Sequence, residues 1–209
     1  MLNYSLYLVT DRGLSRGRST LEVVKAAVEG GVSCVQLREK NCSTREFIRE
    51  ARILQEFLHP KNIPLIINDR VDVALTIGAD GVHLGQKDMP MGDARKLLGD
   101  KLIIGISAET LDDAVTAESE GADYIGVSPV FSTTTKKDLA PPLGLKGIRD
   151  IRNKVKLPLV AIGGINPENA TEVIQAGADG IAVVSAIVSA KCPTTAAKVL
   201  HEMITQHKK

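Results

Sequence analysis

Tryptophan is absent from this 209-residue chain, and the aromatics that remain, three Tyr and three Phe, make up 3% of it. Aliphatic side chains must therefore fill any core, and recognition by stacked rings, as in single-stranded nucleic-acid binders, has little to work with. Net charge is nearly absent too: 26 Lys and Arg stand against 25 Asp and Glu, a formal +1, with no long basic run to grip a phosphate backbone. Nucleic acid is not an expected partner. Cysteine is scarce, and Cys34, Cys42 and Cys192 form neither a CxxC pair nor a zinc-like spacing with His. An odd count without a secretory signal suits reduced thiols in the cytosol. No apolar run reaches the length needed to cross a bilayer. The N-terminal stretch through Asp11 lacks a basic leader and a cleavage-site pattern, so it reads as a first strand.

What is present is alternation. At 44% hydrophobic and 24% charged, the composition is that of an ordinary globular domain. Short Val-, Ile- and Leu-rich runs at 4–10, 33–38, 64–68, 80–84, 102–106, 123–127, 158–163 and 179–184 predict strands. Helix-period segments at 19–29, 43–58, 70–77, 91–98, 109–120, 145–154, 167–176 and 194–206 follow them. Ser43 or Thr44, Asn166 and Thr194 stand where N-caps belong, and Pro167 suits a first helical turn. Eight βα units without a composition break predict one α/β domain over 1–209, a closed (β/α)₈ TIM barrel. A doubly wound open sheet would call for a GxGxxG fingerprint after the first strand, and Thr10-Asp11-Arg12-Gly13 stands there instead. An echo of period two supports the barrel. Gly30-Gly31-Val32-Ser33, Gly78-Ala79-Asp80, Gly121-Ala122-Asp123 and Gly177-Ala178-Asp179 precede the even strands, with Gly suited to end each preceding helix.

In such a barrel the chemistry sits on the loops that follow the strands. Strand alternation sends Val35 and Leu37 towards the helices and Gln36 and Arg38 towards the axis, with Lys40 at the rim. Arg can grip phosphate oxygens through two parallel bonds, and Lys supplies a point charge. Asp69 and Asp88 fall just past adjacent strands. They are either helix N-caps or, with phosphate oxygens and waters, the two carboxylates of a Mg²⁺ site. His83 is expected inside the barrel one layer below the rim, satisfied there rather than acting as a base; His59, His201 and His207 are expected on the surface. Ser107 offers a hydroxyl at the mouth, or serves only its turn. The long loop after strand six carries Thr133, Thr134, Thr135, Lys136 and Lys137, suited to an anion and to closing over a substrate. Gly163-Gly164 after strand seven and Val184-Ser185 after strand eight stand where barrels cradle a phosphate.

Seven tracts in this order give the chain a close resemblance to the thiamine-phosphate synthase family: Tyr7 to Asp11, Gln36 to Lys40, Asn68-Asp69-Arg70, Gly81 to Gln86, Thr133 to Lys136, Ala161 to Ile165, and Val183 to Ile187. The resemblance implies condensation of a hydroxymethylpyrimidine diphosphate with a thiazole phosphate. The thiazole nitrogen would displace diphosphate from a methylene carbon that becomes strongly cationic. It further implies that Asp69 and Asp88 bind Mg²⁺ and that Gln36, Arg38, Lys40, Asn68, Ser107 and Lys136 contact the pyrimidine diphosphate, with Arg38, Lys40, Lys136 and Ser107 carrying catalysis. Thr133, Thr135, Gly164, Val184 and Ser185 would contact the thiazole phosphate. Leu37, Glu39 and Thr134 fall inside matching tracts and are counted with the substrate-binding residues, Glu39 with no more than a supporting ion pair. Ser128 departs from the Gly found in many relatives. The rival branch of the family, a thiazole tautomerase, lacks the carboxylate after Asn and places a histidine shortly after strand six; neither trait is present. A non-catalytic phosphate-binding barrel would not require two metal carboxylates. The expected partners are thus two small phosphorylated substrates, in the cytoplasm, with oligomeric state left open.

Overall fold

The computed structural model describes residues 2–135 and 140–207. Eight parallel strands close into one barrel in chain order: β1 Leu6–Val9, β2 Cys34–Leu37, β3 Leu65–Asn68, β4 Gly81–Leu84, β5 Ile103–Ala108, β6 Tyr124–Val127, β7 Leu159–Ile162 and β8 Gly180–Val183. Outside them lie α1 Thr20–Glu29, α2 Thr44–Leu58, α3 Val71–Ile77, α4 Met91–Leu98, α5 Leu111–Ser119, α6 Gly144–Arg152 and α7 Ala170–Gln175, then the short α8 Ser185–Val188 and the closing α9 Pro193–His207. The (β/α)₈ architecture is as expected. Among the described residues no helix is long and apolar enough to cross a membrane.

Ser43, not Thr44, caps α2, in a reciprocal pairing with Glu46 that satisfies two orphan amides. The expected helix at 167–176 starts at Ala170 instead. Asn166 Oδ1 accepts from the Glu168 amide and Asn169 Oδ1 from the Asn166 amide, so the two side chains hold 166–169 as a turn rather than a helical start. Thr194 lies within α9, which begins one residue earlier at Pro193. The strand β5 runs two residues past its expected end, to Ala108.

The repeated tract before each even strand has a physical function at the barrel floor. Gly31, Gly78, Gly121 and Gly177 all take positive φ and end the preceding helices. The side chain that follows then satisfies an amide at the start of the preceding odd strand: Ser33 Oγ accepts from Leu6, Asp80 from Leu65, Asp123 from Ile104 and Asp179 from Leu159. Asp179 also pairs with Arg152 at 2.9 Å. Removing this acceptor strands a buried amide, so Asp179→Ala should cost about 1–2 kcal/mol. For a domain of this size that is roughly 2–6 °C in Tm by thermal denaturation. The floor is the end remote from the mouth, so KM values measured on the same variant should not move.

Two cores result. The larger packs the outer strand faces, Leu37 and Ile67 among them, against the helices. The smaller fills the barrel and collects all three tyrosines, Tyr4, Tyr7 and Tyr124, around Cys34, Ile66 and Val160. Neighbouring positions are small to admit these rings. A Cβ on Gly105 would lie 2.0 Å from Tyr124 Cζ, so only glycine fits opposite that ring.

Candidate active site

A cavity of about 640 Å³ opens at the C-terminal ends of the strands. Its two halves come from opposite arcs of the barrel. One half, from β2, β3 and β4, presents Gln36, Arg38, Lys40, Asn68, Asp69 and Asp88. The other, from β6, β7 and β8, presents Thr133, Thr134, Thr135, Gly164, Val184 and Ser185, with Ser107 of β5 between them. Thirteen of the residues expected to bind metal or substrate are therefore brought together here. Lys136 lies outside the described residues.

Leu37 corrects the expectation. The pleat turns it outward, and it is wholly buried among the helix-facing side chains, so its side chain cannot reach a ligand in the mouth. Glu39 is also absent from the cavity wall. Its carboxylate lies 3.6 Å from Arg12, and burial pushes its pKa upward.

The cationic half is built by local geometry. Arg38 is anchored twice: its amide donates to Thr10 Oγ1 at 3.0 Å, and its guanidinium meets Asp11 Oδ2 at 3.2 Å. Asp11 was not among the candidate residues. The sequence holds it in the tract after β1, but only the closed barrel brings that loop beside β2. Asp11 also caps the turn after β1 by accepting from the Leu14 amide.

Asp69 has φ of +61°, a left-handed conformation uncommon for a residue other than glycine. The Arg70 amide bonds back to the Asn68 carbonyl at 2.8 Å, closing a three-residue turn around Asp69, while the Asp69 amide is held by the His83 carbonyl at 2.9 Å. Such strain persists where surrounding bonds over-determine it. Here they aim the carboxylate at the mouth, where it pairs with Lys40. Asp88 Oδ2 accepts from the Gly85 amide at 2.7 Å. Burial, and then the Asp69 carboxylate beside it, push the Asp88 carboxyl above its ordinary pKa, against the pull of the Gly85 amide and Lys40.

Neither acid is a helix cap: α3 is preceded by Arg70 and α4 by Pro90, both without a side-chain cap. A carboxyl group whose charge is disfavoured by burial and by a neighbouring carboxylate, as at Asp88, is a setting a divalent cation relieves. Among the described residues no group of three or more His, Cys, Asp or Glu could hold a metal. Two carboxylates could hold Mg²⁺, which keeps waters and takes phosphate oxygens beside one or two such groups.

In the other half, the loop after β6 is strapped to the end of β7, with the Val130 amide on the Ile162 carbonyl and the Phe131 amide on the Gly163 carbonyl. Gly164 takes φ of +66°, and a Cβ there would lie 2.6 Å from the Ser132 carbonyl. The cavity wall also includes Ser128, at the position where the resemblance noted a departure.

The base of the cavity adds further residues. Tyr7 and Tyr124 reach the cavity from below, with Val9, Val160, Ile162 and Ala182 as apolar wall. His83 stands one layer down, as expected, with bonds on both ring nitrogens: Nδ1 to Tyr124 at 2.8 Å and Nε2 to Ser107 at 2.9 Å.

The family model described as thiamine monophosphate synthase matches residues 6–187. A thiamine-phosphate synthase of Chloroflexus aurantiacus is 55% identical over 205 residues, covering 98% of this chain and 94% of that protein. Another, of Clostridium novyi, is 56% identical over 187 residues, covering 90% and 92%. Among solved structures, a thiamine phosphate pyrophosphorylase from Pyrococcus furiosus superposes with a TM-score of 0.92 at 41% identity, covering 99% of this chain and 98% of that one.

Proposed function

The chain belongs to the thiamine monophosphate synthase family, and from that membership we propose that it is a thiamine-phosphate synthase, a transferase joining a hydroxymethylpyrimidine diphosphate to a thiazole phosphate. The bond between the methylene carbon and the diphosphate oxygen breaks, diphosphate leaves with the electron pair, and the thiazole nitrogen forms the new C–N bond. The observation that supports this reading is one cavity lined on one arc by carboxylates and cations and on the other by hydroxyls and glycine backbone, which would serve as two anion-binding halves. A reaction between two phosphorylated substrates needs both halves.

Arg38 and Lys40 face the departing diphosphate and offset its growing charge, a role that the family resemblance also gives Lys136. Asp11 and Thr10 keep Arg38 in place before substrate arrives. Asn68, Gln36 and Ser107 orient the pyrimidine end. The Thr133–Thr135 hydroxyls and the backbone at Gly164, Val184 and Ser185 hold the thiazole phosphate. Val9, Val160, Ile162 and Ala182 keep water from the cationic carbon, which would otherwise be captured as an alcohol. Asp69 and Asp88 would hold Mg²⁺. When bound, the ion supplies Lewis-acid neutralisation of the diphosphate oxygens.

Purified protein given both substrates should release diphosphate and form thiamine phosphate in equal amounts. Either substrate alone should give neither product. A chelator should stop turnover, and added Mg²⁺ should restore it. Absence of product with both substrates would sink the reaction; turnover indifferent to the chelator would sink the metal.

A further inference from the structure

A continuous line of hydrogen bonds crosses the barrel beneath the cavity. Gln36 Nε2 donates to Tyr7 Oη at 3.0 Å, Tyr7 meets Tyr124 at 3.0 Å, Tyr124 meets His83 Nδ1 at 2.8 Å, and His83 Nε2 meets Ser107 Oγ at 2.9 Å. Both ends, Gln36 and Ser107, line the cavity on different sides of the axis. The three residues between them have no part in the roles assigned above. We propose that Tyr7, Tyr124 and His83 act as positioning residues, forming a one-way hydrogen-bond relay that holds Ser107 as a hydrogen donor to a ring nitrogen of the pyrimidine. The proposal rests on the synthase reading and adds to it the orientation of the heterocycle.

The direction follows from counting protons. Tyr7 is 1% exposed and already accepts from Gln36. If Tyr124 donated to it as well, the Tyr7 proton would be left with the Cys34 thiol, a weak acceptor, and a poorly matched buried donor is costly. Tyr7 therefore donates to Tyr124. The one Tyr124 proton then goes to His83 Nδ1, which fixes the imidazole as the Nε2–H tautomer. That N–H donates to Ser107 Oγ, and the Ser107 proton is turned to the cavity. Burial raises both phenols well above their ordinary pKa, so each keeps the single proton this arrangement needs. Gly105 is part of the same device, since any side chain there would displace the Tyr124 ring.

The test combines a spectroscopic and a kinetic readout on the full chain. Ring ¹⁵N shifts at a pH where imidazoles are neutral, with His83 identified by its loss in His83→Gln, should report the Nε2–H tautomer. In Tyr124→Phe the same resonances should move towards a mixture of tautomers, because Nδ1 has lost its donor. Kinetically, Tyr124→Phe should raise KM for the pyrimidine diphosphate about three- to tenfold, the worth of one hydrogen bond, and leave KM for the thiazole phosphate within about twofold. Tyr7→Phe, which cuts the line elsewhere, should show the same bias. A wild-type Nδ1–H tautomer would overturn the relay's direction. A KM for pyrimidine diphosphate that stays put, or rises together with that for thiazole phosphate, would reduce the three residues to packing. Wild-type protein that makes no thiamine phosphate would sink the synthase reading instead, while the tautomer measurement would still decide the relay.

Discussion

Replacing Asp69 or Asp88 by Asn should each lower turnover on the order of a hundredfold or more while leaving the fold intact, since each removes one charged oxygen ligand from the proposed Mg²⁺ site. Asn is the informative substitution at both positions. At 69 the backbone stands at φ of +61°, a region Asn tolerates far better than other side chains, so the turn that aims the group survives. At 88 an amide oxygen can still accept from Gly85, as Asp88 does at 2.7 Å. Stability should fall little in either case, and Asp88→Asn also removes a half-buried charge that burial and the Asp69 carboxylate disfavour. The measurement is kcat across a Mg²⁺ titration beside a thermal melt. Wild-type-like, Mg²⁺-dependent rates in both variants would show that these acids serve only the loops they sit in.

The barrel was legible because its signals are local and periodic. Each strand is a short aliphatic run, and each even strand is announced by the same glycine tract, whose left-handed turns at Gly31, Gly78, Gly121 and Gly177 are what that tract predicts. The rim was legible for a related reason: in a closed parallel barrel the segments just past each strand gather at one end, as Asp69 and Asp88 illustrate. What stayed hidden depends on contacts across the barrel. Tyr7 and Tyr124 are 117 positions apart, and nothing in either strand says that their hydroxyls meet. The pairing of Asp11 with Arg38 is equally non-local. Leu37 shows the opposite failure. Alternation alone turned it outward, and a contiguous matching tract kept it among the substrate contacts against that physical signal. The start of α7 was missed because Asn166 and Asn169 stabilise a turn with the same side-chain chemistry that caps a helix.

Arg38→Ala and Gly164→Ala should damage the two halves of the mouth separately. Arg38 carries a charge beside the proposed diphosphate, and its loss should raise KM for the pyrimidine diphosphate about tenfold or more, with little change for the thiazole phosphate. Gly164 works differently from what its place after β7 suggests. A side chain there does not simply block an anion; its Cβ would be driven to 2.6 Å from the Ser132 carbonyl and 2.8 Å from Phe131 Cβ. Alanine also strains a backbone held at φ of +66°, together costing about 1–3 kcal/mol locally. The relief is to push the loop after β6 away from the end of β7, carrying Thr133 and Thr135 out of register with the phosphate. KM for thiazole phosphate should therefore rise about tenfold or more, and that for pyrimidine diphosphate much less. Thr133→Val removes a hydroxyl at nearly constant volume, and with it only the 3.3 Å bond from the Thr135 amide, so it should show the same bias more weakly. The comparison requires steady-state kinetics with each substrate varied in turn, on variants whose circular dichroism matches wild type. If Arg38→Ala and Thr133→Val each penalised the two substrates equally, the mouth would hold one shared anion site, and its division between opposite arcs of the barrel would have no functional meaning.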